Sequence, residues 1–229
     1  MRNSPPREAM VLAERPMGES SVVLTAYVRE LGLASILAKG AKKPGSPLIA
    51  LTQPLSLVEL ILTEGRSFRY LSRGKLLRAH HGIRRDYPRL IAASLLQEVL
   101  LKTLQEGWYH PRIYELIKKT LVFLEKEEDP KVFLAAFLIK YISFMGYRPK
   151  FAEGADGGFL FPLQGRGPGE NCFLTQVEYD TLITLLKGPY EELERLQAPP
   201  ALIERFIALL TAYIQFHMDC SPIQSLQLF

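Results

Sequence analysis

The spacing of apolar positions divides the chain into a β-rich beginning and a helical remainder. Runs at residues 9–13, 21–28, 34–38, 55–62 and 67–73 are apolar, β-branched or aromatic over strand-like lengths. Turn residues punctuate them: Arg15-Pro16-Met17-Gly18-Glu19, Leu31-Gly32 and the hairpin Thr63-Glu64-Gly65-Arg66. Five short strands within about 75 residues predict a small barrel, and the five-stranded type that binds single strands is the OB-fold. In such a barrel the binding face is made by strands two and three with the first–second and fourth–fifth loops. On the fifth strand strict alternation puts Phe68, Tyr70 and Ser72 on one face and Ser67, Arg69, Leu71 and Arg73 on the other. Between the third and fourth strands lies a basic, glycine- and proline-punctuated stretch that reads as a flexible loop. It carries Lys39, Lys42 and Lys43.

After Arg78 the period lengthens. Leu90, Ala93, Leu96, Leu100 and Leu104 recur at three and four, predicting a helix over 87–106 that Gly107 stops. Ile113, Leu116, Ile117, Leu121 and Leu124 mark a second, with Pro111 in its first turn. Asp129-Pro130 supplies the N-cap and first position of a third, over 131–145, which is apolar nearly all round and so belongs at the centre of a bundle. Residues 148–172 are rich in glycine and read as a loop or small ribbon around Phe159 and Phe161. Helix resumes over 175–186 behind a Thr175/Glu178 capping box. Pro199 or Pro200 opens a last long helix with Leu202, Phe206, Leu209, Leu210, Tyr213 and Ile214 inward, and the tail forms a short closing helix. The fold class is therefore α+β. A five-stranded OB-fold barrel spans 1–80, and a helical domain spans 81–229 with a glycine-rich insert at 148–173.

Charge sharpens this picture. The formal net charge of the 229 residues is only +4. Up to His80, however, there are 12 basic and 6 acidic residues, against 16 and 18 thereafter. A basic β-part beside a neutral-to-acidic helical part points to a polyanion partner on the β side. The start lacks the apolar core of a signal peptide, and the longest apolar run, 132–139, falls far short of the roughly 20 residues that span a bilayer. A cytoplasmic protein with no membrane partner is expected.

Catalytic patterns are missing from the sequence. No glycine stretch has the lysine and hydroxyl of a phosphate-cradling loop; Gly165-Arg-Gly-Pro-Gly lacks both. His80, His81, His110 and His217 never meet a carboxylate or cysteine at metal-ligand spacing, and His80-His81 reads as a polar surface pair at the domain junction. Cys172 and Cys220 alone cannot form a zinc site. Glu191-Glu192 and Glu127-Glu128-Asp129 read as helix-end charges. The expectation is a non-enzyme without cofactor or metal. The chemistry left is polyanion binding: Lys39, Lys42, Lys43, Arg66, Arg69, Arg73 and Lys75 neutralise phosphates while Tyr27 or Tyr70, with Phe68 nearby, stacks bases. Arg84 and Arg85 are secondary contributors. The alternative is an adaptor whose basic face meets an acidic protein tail.

Several stretches carry a family resemblance. Val11-Leu-Ala-Glu-Arg-Pro-Met-Gly18-Glu19-Ser20, Leu24-Thr-Ala-Tyr-Val-Arg-Glu-Leu-Gly32, Ala38-Lys39-Gly40-Ala41-Lys42-Lys43 with Ser46, and Leu51-Thr-Gln-Pro-Leu resemble the first strands and basic loop of the bacterial recombination mediator RecO family. Ser221-Pro-Ile-Gln-Ser225-Leu resembles its closing segment. Two features depart from the pattern. Only Cys172 stands where many relatives carry Cys-x-x-Cys pairs, so zinc is not carried over to this degenerate zinc-ribbon-like insert. Pro47 stands where relatives usually place a further basic residue. The resemblance implies a nucleoid-associated DNA repair protein that binds single- and double-stranded DNA and anneals complementary strands. It further implies that, with RecR, the protein engages the C-terminal tail of single-strand-binding protein and helps load RecA, which acts downstream.

Overall fold

The computed structural model describes residues 3–65, 69–154, 157–162 and 172–229. They form two compact units, Met1–Arg85 with Thr103–Val122, and Asp86–Lys102 with Phe123–Phe229.

The first unit is built on a closed barrel of β1 (Arg7–Met17), β2 (Ser21–Val28), β3 (Gly32–Ala38), β4 (Leu57–Glu64) and β5 (Arg69–Arg78), in the order β1-β2-β3-β5-β4. All pairings are antiparallel except β3 with β5, the one that closes the barrel. Alternation sets the inside. Val22, Leu24, Ala26 and Val28 of β2 meet Ala34, Ile36 and Ala38 of β3, Val58, Leu60 and Leu62 of β4, and Leu71 of β5 in one buried cluster. Bulges supply the curvature that closure needs, at Leu12 in β1 and at Ser72 and Leu77 in β5.

The bulge at Ser72 overturns the alternation expected for this strand. Leu71 pairs with Leu62 and points inward, but Arg73 pairs with Ile61, so the two lie on opposite faces. The first turn is also tighter than expected, since β1 continues through Pro16, opposite Val22, to Met17. His80 is buried rather than part of a surface pair. It lies between β5 and the short helix α1 (His81–Arg85), whose Arg84 donates to the carbonyls of Ala79 and Pro54 and to Ser56 Oγ.

The second unit is helical. Its members are α2 (Tyr87–Thr103, all but the last residue), the end of α3 (Pro111–Lys126), α4 (Pro130–Phe144), α5 (Gln176–Lys187), α6 (Tyr190–Leu193) and α7 (Pro200–His217). Asp129 caps α4 through the Lys131 N–H, with Pro130 at the first position. The Thr175/Glu178 capping box is formed at α5. As its all-round apolarity requires, α4 is the buried centre and packs on α5 and α7. Lys140 Nζ donates 2.8 Å hydrogen bonds to the carbonyls of Leu186 and Gly188, which ties α4 to the end of α5. The insert forms a small antiparallel sheet of β6 (Ala152–Glu153), β7 (Phe159–Phe161) and β8 (Cys172–Leu174). Phe159 stacks on Tyr179 at 3.7 Å between ring centres, and Phe161 is fully buried. In the same unit Glu98 holds the chain's last turn by accepting from the N–H groups of Gln224 and Ser225 and from the Ser225 hydroxyl.

Candidate nucleic-acid interface

The basic loop is not slack. Gly40 takes φ +68°, which a side chain would oppose, and the chain then folds back onto the β1–β2 turn. The Lys42 N–H donates to the Ser20 carbonyl at 2.9 Å and the Gly40 N–H to Ser21 Oγ at 3.3 Å. Tight turns follow as the Lys43 N–H bonds the Gly40 carbonyl and the Ser46 N–H bonds the Lys43 carbonyl. Ala41 is fully buried in the barrel's apolar cluster. With Ala41 inside, its neighbours Lys39, Lys42 and Lys43 are exposed around it.

The loop and the turn enclose an open groove of about 510 Å³ lined by Met17, Gly18, Ser20, Ser21, Leu37, Lys39, Gly40 and Lys43. Lys39 Nζ stands 4.6 Å from the centre of the Tyr70 ring, a cation–π contact. Tyr70 is opposite Leu37 in the β3–β5 pairing and half-buried on the outer face. Further along the same face of β5, Arg73 and Lys75 are exposed, opposite Ile61 and Glu59. Among the described residues, none of Lys42, Lys43, Arg73 and Lys75 is held in an ion pair. Arg69 differs, because its Nε bonds Glu64 Oε1 at 3.1 Å. Arg66 and Phe68 lie outside the described residues.

Tyr27 does not belong to this group, and here the structure corrects the sequence reading. It is fully buried, its hydroxyl accepts from the His110 N–H at 2.9 Å, and Tyr109 and Tyr114 pack on its ring at 6.1 Å. Burial pushes its phenol up to about 12. A ring enclosed in this way has no face left for a base. The outer face of β2 and β3 is thus partly taken up by the chain itself. Leu33 bridges Glu106 and accepts from the Gly107 N–H, while Tyr114 and Lys118 both bond Glu8 of β1. The sequence reading put the first–second loop in the binding face, and the structure sets Met17, Gly18, Ser20 and Ser21 of that turn in the groove lining, with Gly18 at φ +65°. Arg84 is spent on backbone carbonyls. Among the described residues no cluster of His, Cys, Asp and Glu could hold a metal, and no helix is long and apolar enough to cross a membrane.

A five-stranded barrel closed by a parallel β3–β5 pairing, with a helical unit following, defines an α+β protein of the OB-fold class. Comparison with known proteins makes this specific. Residues 1–80 match the family model "Recombination protein O N terminal" and residues 84–227 match "Recombination protein O C terminal". The chain belongs to the RecO family, a family of DNA repair proteins. It is 24% identical to the DNA repair protein RecO of Thermoanaerobacter sp. (strain X514), over 93% of this chain and 92% of the relative. It is 26% identical to that of Caldanaerobacter subterraneus subsp. tengcongensis, with the same coverage. With the RecO of Alkaliphilus metalliredigens the identity is 27% over 96% of each chain.

Proposed function

We propose that this chain is a DNA-binding mediator of recombinational repair that acts without turnover and needs no cofactor. The barrel binds single- and double-stranded DNA. Lys39, Lys42 and Lys43 take phosphates at the groove, Arg73 and Lys75 extend the track along β5, and Tyr70 offers a ring for stacking. Arg69 contributes less, because Glu64 already neutralises it. The observation that carries this reading is the buried Ala41, which fixes three lysines outward on a loop tied to the β1–β2 turn. Such a loop loses little conformational freedom when a phosphate backbone arrives. Annealing follows from the same geometry: screened phosphates let two strands approach, and contacts to phosphate leave base edges free to pair. In this reading the protein works in the cytoplasm at the nucleoid. There, with RecR, it engages the C-terminal tail of single-strand-binding protein and helps load RecA.

The test is anisotropy of a labelled single strand titrated at several salt concentrations. Wild type should give a steep negative slope. In the Lys42→Glu/Lys43→Glu double variant the slope should shrink by about 1.4, the single-strand value for two phosphates. Equal binding by both proteins would remove the loop from the interface. Absence of binding even at low salt would favour the adaptor, whose basic face meets an acidic protein.

A further inference from the structure

The helical unit carries a pocket that the barrel-based reading does not use. It has a volume of about 220 Å³ and is lined by Tyr147, Arg148, Lys150, Pro162, Tyr213 and His217. Its parts come from three places: the segment leaving α4, the end of β7, and the last turns of α7, where Tyr213 and His217 sit four residues apart on one face. His217 links the two tyrosines. Its ring lies 4.1 Å from that of Tyr213 and 5.3 Å from that of Tyr147. Burial lowers its pKa, so near neutral pH it is a flat uncharged ring rather than a third cation. Among the described residues its Nε2 is buried with no hydrogen-bond partner, the kind of orphan polar atom that native structures seldom keep without a use. At the rim Tyr147 is 42% exposed, and Phe216, in edge contact with His217, is 47% exposed. Arg148 and Lys150 are exposed beside them.

We infer that this pocket is a second nucleic-acid contact that takes one nucleotide of a single strand, with the base among the Tyr147, Tyr213 and His217 rings and its phosphate on Arg148 and Lys150. Rings interleaved with cations are the chemistry of sequence-tolerant single-strand binding, because every base has a π face and every nucleotide a charge. The lining suits a nucleotide because it sets three rings, a surface for a base, beside two cations for its phosphate. The volume is enough for one base.

The inference shares the DNA ligand of the barrel reading, so the experiment separates the two. The full chain is irradiated with bromodeoxyuridine-substituted single strands, and the cross-linked peptides are mapped. Adducts should appear at Tyr147, Tyr213 or His217 as well as on the barrel. Tyr147→Ala, a change at an exposed ring, should cut capture at the helical unit about tenfold and leave the barrel adducts unchanged. Lys42→Glu/Lys43→Glu should do the reverse. Adducts confined to the barrel would overturn the pocket and keep the barrel, whereas adducts confined to the pocket would overturn the barrel. Failure to cross-link, together with binding of an acidic aromatic peptide that Tyr147→Ala abolishes, would assign the pocket to a protein partner.

Discussion

The two ends of β3 lie on one sheet and face opposite fates. At Gly32 and Leu33 the outer face is closed by the chain's own residues 106–114, which bring Tyr27, Tyr109 and Tyr114 together and leave no polar group of Tyr27 unpaired. At Leu37 and Lys39, about 20 Å along the strand by its rise per residue, the same face opens into a groove rimmed by lysines. Aromatic residues stand at both ends, so residue type does not decide which ring is available. What decides is whether another segment of the chain covers it. At the closed end ring packing stabilises the fold. At the open end the cations gain little for stability, since exposed charges are well solvated, and are left for a partner.

Four changes test that contrast. The largest effect belongs to Gly32→Ala. Gly32 has φ +78°, and a Cβ there would run into the Trp108 carbonyl, so the closed end must part or strain. A loss on the order of 3–4 kcal/mol is expected, read as a fall in Tm of about 10 °C. Next comes Lys42→Glu/Lys43→Glu, which should weaken single-strand binding about thirtyfold while Tm stays within roughly a degree. A large Tm loss there would mean that the lysines hold the fold after all. Tyr27→Phe should cost about 1 kcal/mol, the hydrogen bond to His110. It should also change the alkaline limb of stability. Because burial raises the Tyr27 phenol from 10.0 to about 12, its contribution is fully present below pH 10 and is lost as pH rises through 12. Thermal melts between pH 9 and 12 should fall less steeply in the phenylalanine variant, and parallel curves would place Tyr27 in a wetter site. The smallest effect is that of Tyr70→Leu, which removes the cation–π contact of Lys39. Binding should weaken by about threefold, with the fold intact.

Much of this architecture was legible in the sequence. The period-2 runs located all five barrel strands, and the caps at Asp129 and Thr175 set the starts of α4 and α5 to within a residue. What the sequence could not carry was anything non-local. The bulge at Ser72 leaves no mark in a run of alternating residues, yet it turns Arg73 away from Leu71. Tyr27 looks the same as Tyr70 until residues 106–114 are seen to return to the barrel, a pairing some 80 positions apart in the chain. The lysine loop was visible by composition, but its glycines and prolines suggested slackness. The contact that orders it is the single small residue Ala41, inserted into the barrel core.

One feature of the closed end bears on how the protein can be watched. Its only tryptophan, Trp108, lies in the segment that covers Gly32, with its ring 5.7 Å from that of His110. Indole emission excited at the red edge therefore reports on the seam between that segment and the barrel. It is an optical gauge of whether the seam is shut, placed away from the lysine groove. A strand settling onto Lys39 and Tyr70 would leave this signal largely unquenched, so emission can follow unfolding while a label on the DNA follows binding in the same cuvette.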